Sequence, residues 1–295
     1  MARIRANGLD LEYEMHGPEH GPPMLLIMGL GAQLTLWPTP FVEALGHRGY
    51  RVIRFDNRDC GLSTKFDAAG TPNIYTLVLA RMFGMRPRVP YSLADMAEDA
   101  AGLLDALDIP RAHVVGASMG GMIAQHLAAR HPERALSLAS IMSTTGNPAL
   151  PRPRREALRV LLRRPRANDL EAAVAHGIRT ARAIGSPRYP VDEAALASRV
   201  RAIVSRMHYP PGISRQLAAI ISDGDRRAML RGIRVPTVVI HGTADPLMPV
   251  AGGRDTAANI PGARLVEFEG MGHNMPVELI PHIADAIVSD LRRAA

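Results

Sequence analysis

Cysteine occurs once in this chain, at Cys60, and lysine once, at Lys65. A single cysteine excludes an internal disulfide and points to a reducing compartment or to indifference to redox state. Aromatic residues make up only 4% of the 295 positions, too few to interleave with basic residues as base-stacking platforms. Long apolar runs are also missing, and none approaches the roughly 20 residues of a membrane span. The opening residues, Met1-Ala2-Arg3-Ile4-Arg5, have no continuous apolar stretch after their charges, so no secretory signal is read there. The expectation is a soluble, cytoplasmic protein without a membrane span.

Acidic residues are outnumbered, 28 against 35 basic ones, for a net charge of +7 and a pI near 10.2. Phosphate neutralisation by clustered arginines would be one use of that excess. The arginines are instead spread along the chain, densest from Arg152 to Arg166, and read as a solvated helical face rather than a nucleic-acid patch. No nucleic acid is expected as a partner. Hydrophobic residues, at 47%, are numerous enough to fill the core of one large α/β domain or of a domain with a sizeable insertion.

Asn7-Gly8 between two short apolar-polar segments is a strong hairpin signal. After it, Met24 to Met28, Arg51 to Phe55, Ala112 to Val115, Leu136 to Met142, Thr237 to Ile240 and Leu265 to Phe268 read as short buried strands of parallel character. Helical patterns separate them: Thr39 to Gly46, Ser92 to Leu107, Met119 to Arg130, Val250 to Asn259 and Pro276 to Arg293. From Gly146 to Arg231 the alternation stops. That stretch holds only helix-compatible segments (Glu156 to Leu162, Leu170 to Ile184, Glu193 to Met207, Ser214 to Ile221) with proline-rich joints such as Tyr209-Pro210-Pro211-Gly212. The expected organisation is an α/β core formed by residues 1–145 and 232–295, with a mostly parallel central sheet and helices on both faces. Residues 146–231 are expected to form a helical cap.

The chemistry is signalled by Gly116-Ala117-Ser118-Met119-Gly120. Lying between a strand and a helix, a Gly-x-Ser-x-Gly turn lifts the serine hydroxyl above the sheet and aims the following amide, that of Met119, at a developing oxyanion. Serine is a weak nucleophile alone and needs a base and an acid that orients the base. Asp245 follows the strand ending at Ile240, and His273 follows the strand ending at Phe268. Both fall at carboxyl ends of strands, where open α/β sheets keep their sites. His126, His131 and His241 lack such a setting and are read as packing or solvent residues.

The order Ser118, Asp245, His273 is similar to that of the α/β-hydrolase superfamily, and the resemblance covers nearly the whole chain. Within it the sequence most resembles capped esterases of the aclacinomycin methylesterase type. The similar segments are Met28-Gly29, Trp37-Pro38, Asp56 to Ser63, the serine turn and Pro210 to Gln216. The resemblance implies a second oxyanion donor at the Leu30 amide, although Met28 stands where that superfamily usually has histidine. It also implies a structural turn at Asp56-x-Arg58-x-x-Gly61-x-Ser63, in which Asp59 replaces a usual glycine.

The function expected is hydrolysis, through an acyl-enzyme, of the carboxylic ester of a small to medium, largely apolar molecule. Met142, Met248 and Asn274 are taken as pocket residues. No metal-ligand spacing occurs and no Gly-x-Gly-x-x-Gly follows the first parallel strand, so neither metal nor cofactor is expected. The same three residues also serve perhydrolysis and hydrolytic C–C cleavage, and a ligand sensor can keep the fold without turnover. These alternatives stay open on sequence.

Overall fold

A computed structural model describes residues 1–85, 87–163 and 169–293 of the chain. Of the expected cap, residues 164–168 lie outside the described residues, as do 164–166 of the arginine-dense stretch and 86 and 294–295 of the expected core.

Asn7 and Gly8 both take positive φ, 47° and 74°, and turn β1 (Ala2–Ala6) back onto β2 (Leu9–His16). β2 then lies antiparallel to β4 (Arg51–Phe55). From there the sheet is parallel: β3 (Pro23–Ile27), β5 (Ala112–Ala117), β6 (Ala135–Ile141), β7 (Thr237–Gly242) and β8 (Arg264–Phe268) complete eight strands in the order β1-β2-β4-β3-β5-β6-β7-β8. Strands this apolar need cover on both faces. Leu25 and Ile27 of β3 pack with α3 (Leu93–Ala106) and α4 (Met119–Arg130), while Met24 and Leu26 pack on the opposite face with α1 (Thr39–His47) and α11 (Ile280–Arg293). Each of these four β3 side chains is fully buried, and truncating one to alanine would cost about 2–5 kcal/mol.

Local chemistry sets the boundaries. Ser92 caps α3, accepting from the Asp95 amide at 3.1 Å while Asp95 accepts from the Ser92 amide at 2.7 Å, a reciprocal pair that satisfies two free N–H groups. α10 (Ala251–Asn259) follows β7 as the sequence pattern indicates. At Pro276 the chain first makes a short 3₁₀ turn, Val277–Leu279, and α11 starts only at Ile280.

Between β6 and β7 come α5 (Arg155–Leu162), α6 (Leu170–Ile184), α7 (Glu193–Arg206), α8 (Pro210–Asp223) and α9 (Arg227–Leu230), with no strand among the described residues. Pro210-Pro211 is not a joint but the first turn of α8, where proline loses no hydrogen bond. Among the described residues two helices match no segment read from sequence: the short α9, and α2 (Ile74–Met82), whose cap Asn73 accepts from the Tyr75 and Thr76 amides. No helix among the described residues is long and apolar enough to cross a membrane.

Candidate active site

Ser118 sits between β5 and α4 at φ 56°, ψ −121°, a backbone region that a side chain occupies only under constraint. The constraint is visible on both sides. Its amide donates to the Ile141 carbonyl at 2.9 Å, and its carbonyl accepts from the Ser143 hydroxyl at 2.9 Å. The flanking glycines are required by contact: a Cβ on Gly116 would stand 2.1 Å from the Gly120 carbonyl oxygen, and one on Gly120 would stand 1.9 Å from that of Ile27.

Loops after β7 and β8, two and three strands along the sheet from β5, bring the other two residues to it. His273, after β8, places Nε2 3.0 Å from Ser118 Oγ and Nδ1 2.7 Å from Asp245 Oδ2. Asp245, after β7, is only 5% exposed. Its other oxygen, Oδ1, accepts from the Leu247 and Met248 amides at 2.9 and 2.8 Å. Burial by itself would raise the Asp245 carboxyl, but the facing His273, the adjacent His241 and the Met248 amide together hold it well below the usual carboxylate range. The carboxylate is therefore kept ionised, and a fixed negative charge at Nδ1 favours the imidazole tautomer that is protonated there and leaves Nε2 able to accept a hydrogen bond from the Ser118 hydroxyl.

His241 is fully buried. It contacts the Met248 carbonyl through Nε2 at 2.7 Å and approaches Asp245 Oδ2 to 3.6 Å, so it braces the loop whose amides hold Asp245. Neither it nor Ser143 carries a sequence signal for this position, because each acts on backbone reached only through the fold. His126 and His131 instead pair with Asp223 at 2.8 Å and Glu98 at 2.9 Å.

The turn after β3 lies against the serine: a Cβ on Gly29 would stand 3.5 Å from Ser118 Oγ. Among the described residues, neither the Leu30 nor the Met119 amide donates to another protein atom. Backbone donors without a protein acceptor are open to a group that the chain itself does not supply. The Asp56–Asp59 loop surrounds this turn. Asn57 donates to the Met28 carbonyl at 2.9 Å, Asp56 accepts from the Leu34 amide at 2.7 Å, and Arg58 makes a two-pronged pair with Asp99 at 2.5 and 2.6 Å.

Of the residues expected to line a pocket, Met142 is 4% exposed and packed in the core layer with Met28 and Ala117. Asn274 Oδ1 accepts from Ser186 of the inserted helices at 2.6 Å. Met248 walls an apolar cavity of about 650 Å³, together with Val78, Met82, Met122, Ile220 and Ile221. Ser118, Asp245 and His273 are not among its lining residues, which include Met122, one turn along α4 from Ser118, and Met248, whose amide donates to Asp245. Another hollow, of about 530 Å³, lies at the hairpin edge beside Arg5, Glu98 and Arg134, away from the serine. Among the described residues no group of three or more His, Cys, Asp or Glu is placed to hold a metal ion.

The sheet order, the strained serine turn and the strand-end positions of Asp245 and His273 define a class, and the class is matched by comparison. The chain belongs to the α/β hydrolase fold family, whose model matches residues 22–278. It is similar to the rhodomycin D methylesterase DauP of Streptomyces sp. strain C5, 32% identical over 92% of this chain and 91% of that one. It is also similar to the poly(3-hydroxyalkanoate) depolymerase of Ectopseudomonas oleovorans, 31% identical over 94% and 87% of the two chains. Among solved structures, the enol-lactonase from Burkholderia xenovorans LB400 superposes with a TM-score of 0.71 at 27% identity, covering 99% of this chain and 100% of its own.

Proposed function

We propose that the protein is a serine esterase that cleaves carboxylic esters of small to medium, largely apolar molecules through an acyl-enzyme. The observation that carries this reading is the continuous hydrogen-bonded line from Asp245 Oδ2 through His273 to Ser118 Oγ, at 2.7 and 3.0 Å. His273 Nε2 removes the Ser118 proton as Oγ attacks the ester carbonyl. The Leu30 and Met119 amides receive the oxyanion, the imidazolium returns its proton to the departing alcohol, and Asp245 offsets the transient positive charge. Water deprotonated by the same nitrogen then releases the acid and the serine.

The methylesterase relatives support ester cleavage, and the apolar cavity beside Met248 supports an apolar substrate. The inserted helices, residues 146–231, act as the cap that closes over the strand ends, and residues 1–145 and 232–295 form the catalytic core. Steady turnover of short p-nitrophenyl esters, measured beside a lactone and a β-diketone, tests the reading. Ser118→Ala should abolish ester turnover. Full activity in that variant would exclude the mechanism, and preferential cleavage of the β-diketone would replace esterolysis with C–C hydrolysis.

A further inference from the structure

The donor amide of Leu30 belongs to a backbone turn, and a turn holds an amide in direction only as well as it is itself held. Gly29, Leu30, Gly31 and Ala32 form a β-turn, with the Ala32 amide donating to the Gly29 carbonyl at 3.2 Å and Gly31 at φ 63° in the third position. A glycine with positive φ at that position is the type II signature. The bond on the Gly29 carbonyl fixes the peptide plane that carries the Leu30 N–H, because carbonyl and amide hydrogen of one trans peptide point in opposite directions. The peptides on either side are each pinned by a side chain. Asn57 Nδ2 donates to the Met28 carbonyl at 2.9 Å, and Gln216 Oε1 accepts from the Gly31 amide at 2.7 Å.

Gln216 comes from α8, in the inserted helices, 185 residues away in the chain. It is fully buried, and its Nε2 donates to the Arg58 carbonyl at 2.7 Å. Its amide orientation is fixed by its partners: Gly31 N–H requires an acceptor and the Arg58 carbonyl requires a donor. Ile213, one turn earlier, lies directly over Gly31, where a Cβ would meet its Cγ1 at 2.8 Å. One side chain of the insertion therefore bridges the turn beside the serine and the loop that holds Asn57.

We propose that Gln216 is a positioning residue for the oxyanion site, seconded by Asn57, so that the inserted helices set the geometry of catalysis as well as enclosing the substrate. The proposal rests on the reading of Ser118 as the nucleophile and Leu30 as a donor.

The test compares the parent, Gln216→Met and Gln216→Glu. Methionine keeps the volume and loses both hydrogen bonds; the carboxylic acid form of glutamate offers one acceptor and one donor in the same places. Kinetics with p-nitrophenyl butyrate are normalised to Ser118 labelled by a fluorophosphonate. Inhibition is measured with a short alkyl trifluoromethyl ketone, whose hemiketal oxyanion needs the same amides. In Gln216→Met, kcat should fall about ten- to a hundredfold, a share of the effect of deleting one oxyanion donor, with KM within about twofold and the ketone Ki rising by the factor by which kcat falls. Gln216→Glu should recover most of both losses. If Gln216→Met lowers only thermal stability, with kcat per labelled serine and Ki unchanged, the residue is merely structural and the proposal falls. If Gln216→Met does not fold, Gln216→Asn, one methylene too short to span both partners, carries the same expectation and the same refutation. Failure of the parent to label at Ser118 would overturn the nucleophile assignment instead, which separates the two outcomes.

Discussion

Replacing Arg215 with methionine should cost far more stability than a surface ion pair is worth. Arg215 is 1% exposed, and its guanidinium meets Asp59 twice, Nε to Oδ2 and Nη2 to Oδ1, each at 2.8 Å. It also donates to the Gly70 carbonyl and the Tyr209 hydroxyl, at 2.8 and 2.6 Å. Asp59, equally buried, retains Tyr91 Oη at 2.7 Å and the Phe66 amide at 2.8 Å as hydrogen-bond donors once the arginine is gone. A buried carboxylate stripped of its counter-charge costs about 3–5 kcal/mol. At about 2 °C per kcal/mol for a large domain, Tm should fall by roughly 6–10 °C.

Asp59→Gly strands the guanidinium instead, but relieves a side chain at φ 64°, which returns about 1 kcal/mol. The double variant buries neither charge. Its loss should fall short of the summed single losses by at least about 2 kcal/mol. Urea unfolding followed by circular dichroism, with the m-values compared, gives all three free energies. Additivity within about 0.5 kcal/mol, or a single-variant cost below about 1 kcal/mol, would mean that the pair behaves as an exposed one and that the burial argument is wrong.

Asp245→Asn should lower ester kcat by about 10⁴-fold, because the amide no longer selects the productive imidazole tautomer; a loss under a hundredfold in steady-state assays would count against the assigned role. Gly120→Ala should give insoluble protein or lose more than about 3 kcal/mol, since its methyl group meets the Ile27 backbone at 1.9 Å. Gly8→Ala, with nothing within 4 Å of the added carbon, should cost only about 1 kcal/mol for its positive φ, and equal losses in denaturation would undo the contrast. Burial pushes His113 down to about 4, whereas an unfolded histidine titrates near 6.5. Between these values the unfolded chain binds a proton that the folded chain refuses, so stability should fall as pH drops from about 6.5 towards 4. His113→Gln should flatten that slope in denaturation series, and an unchanged slope would exclude His113 as its source.

Features written in short-range patterns were legible from sequence. Asn7-Gly8 named its hairpin, the pattern from Ser92 to Leu107 named its helix, and Gly116 to Gly120 named the turn that the structure shows at φ 56°. Asp245 and His273 were singled out because strand ends in such sheets tend to carry sites, and the structure brings both into hydrogen-bonded line with Ser118. α2 escaped because Ile-Tyr-Thr-Leu-Val-Leu-Ala-Arg-Met is apolar nearly all round and lacks the polar stripe of an amphipathic helix; its available signal was Asn73 as a cap. Pro210-Pro211 was read as a break because proline ends helices more visibly than it begins them. Asp59 looked like an odd replacement for glycine, since its partner Arg215 lies 156 residues further on. Partners chosen by folding, rather than by spacing, leave no pattern in a single sequence.

The insertion between β6 and β7 also divides the chain in time. Ser118 and the turn at Leu30 are made early, whereas Asp245 and His273 arrive only with the last two strands, after the whole of α5 to α9. During synthesis six of the eight strands, β1 to β6, precede the insertion, and Ser118 has no imidazole beside it until β8 docks beside β7. On the proposed mechanism, reactivity at Ser118 is therefore expected only once the far end of the polypeptide has closed the sheet.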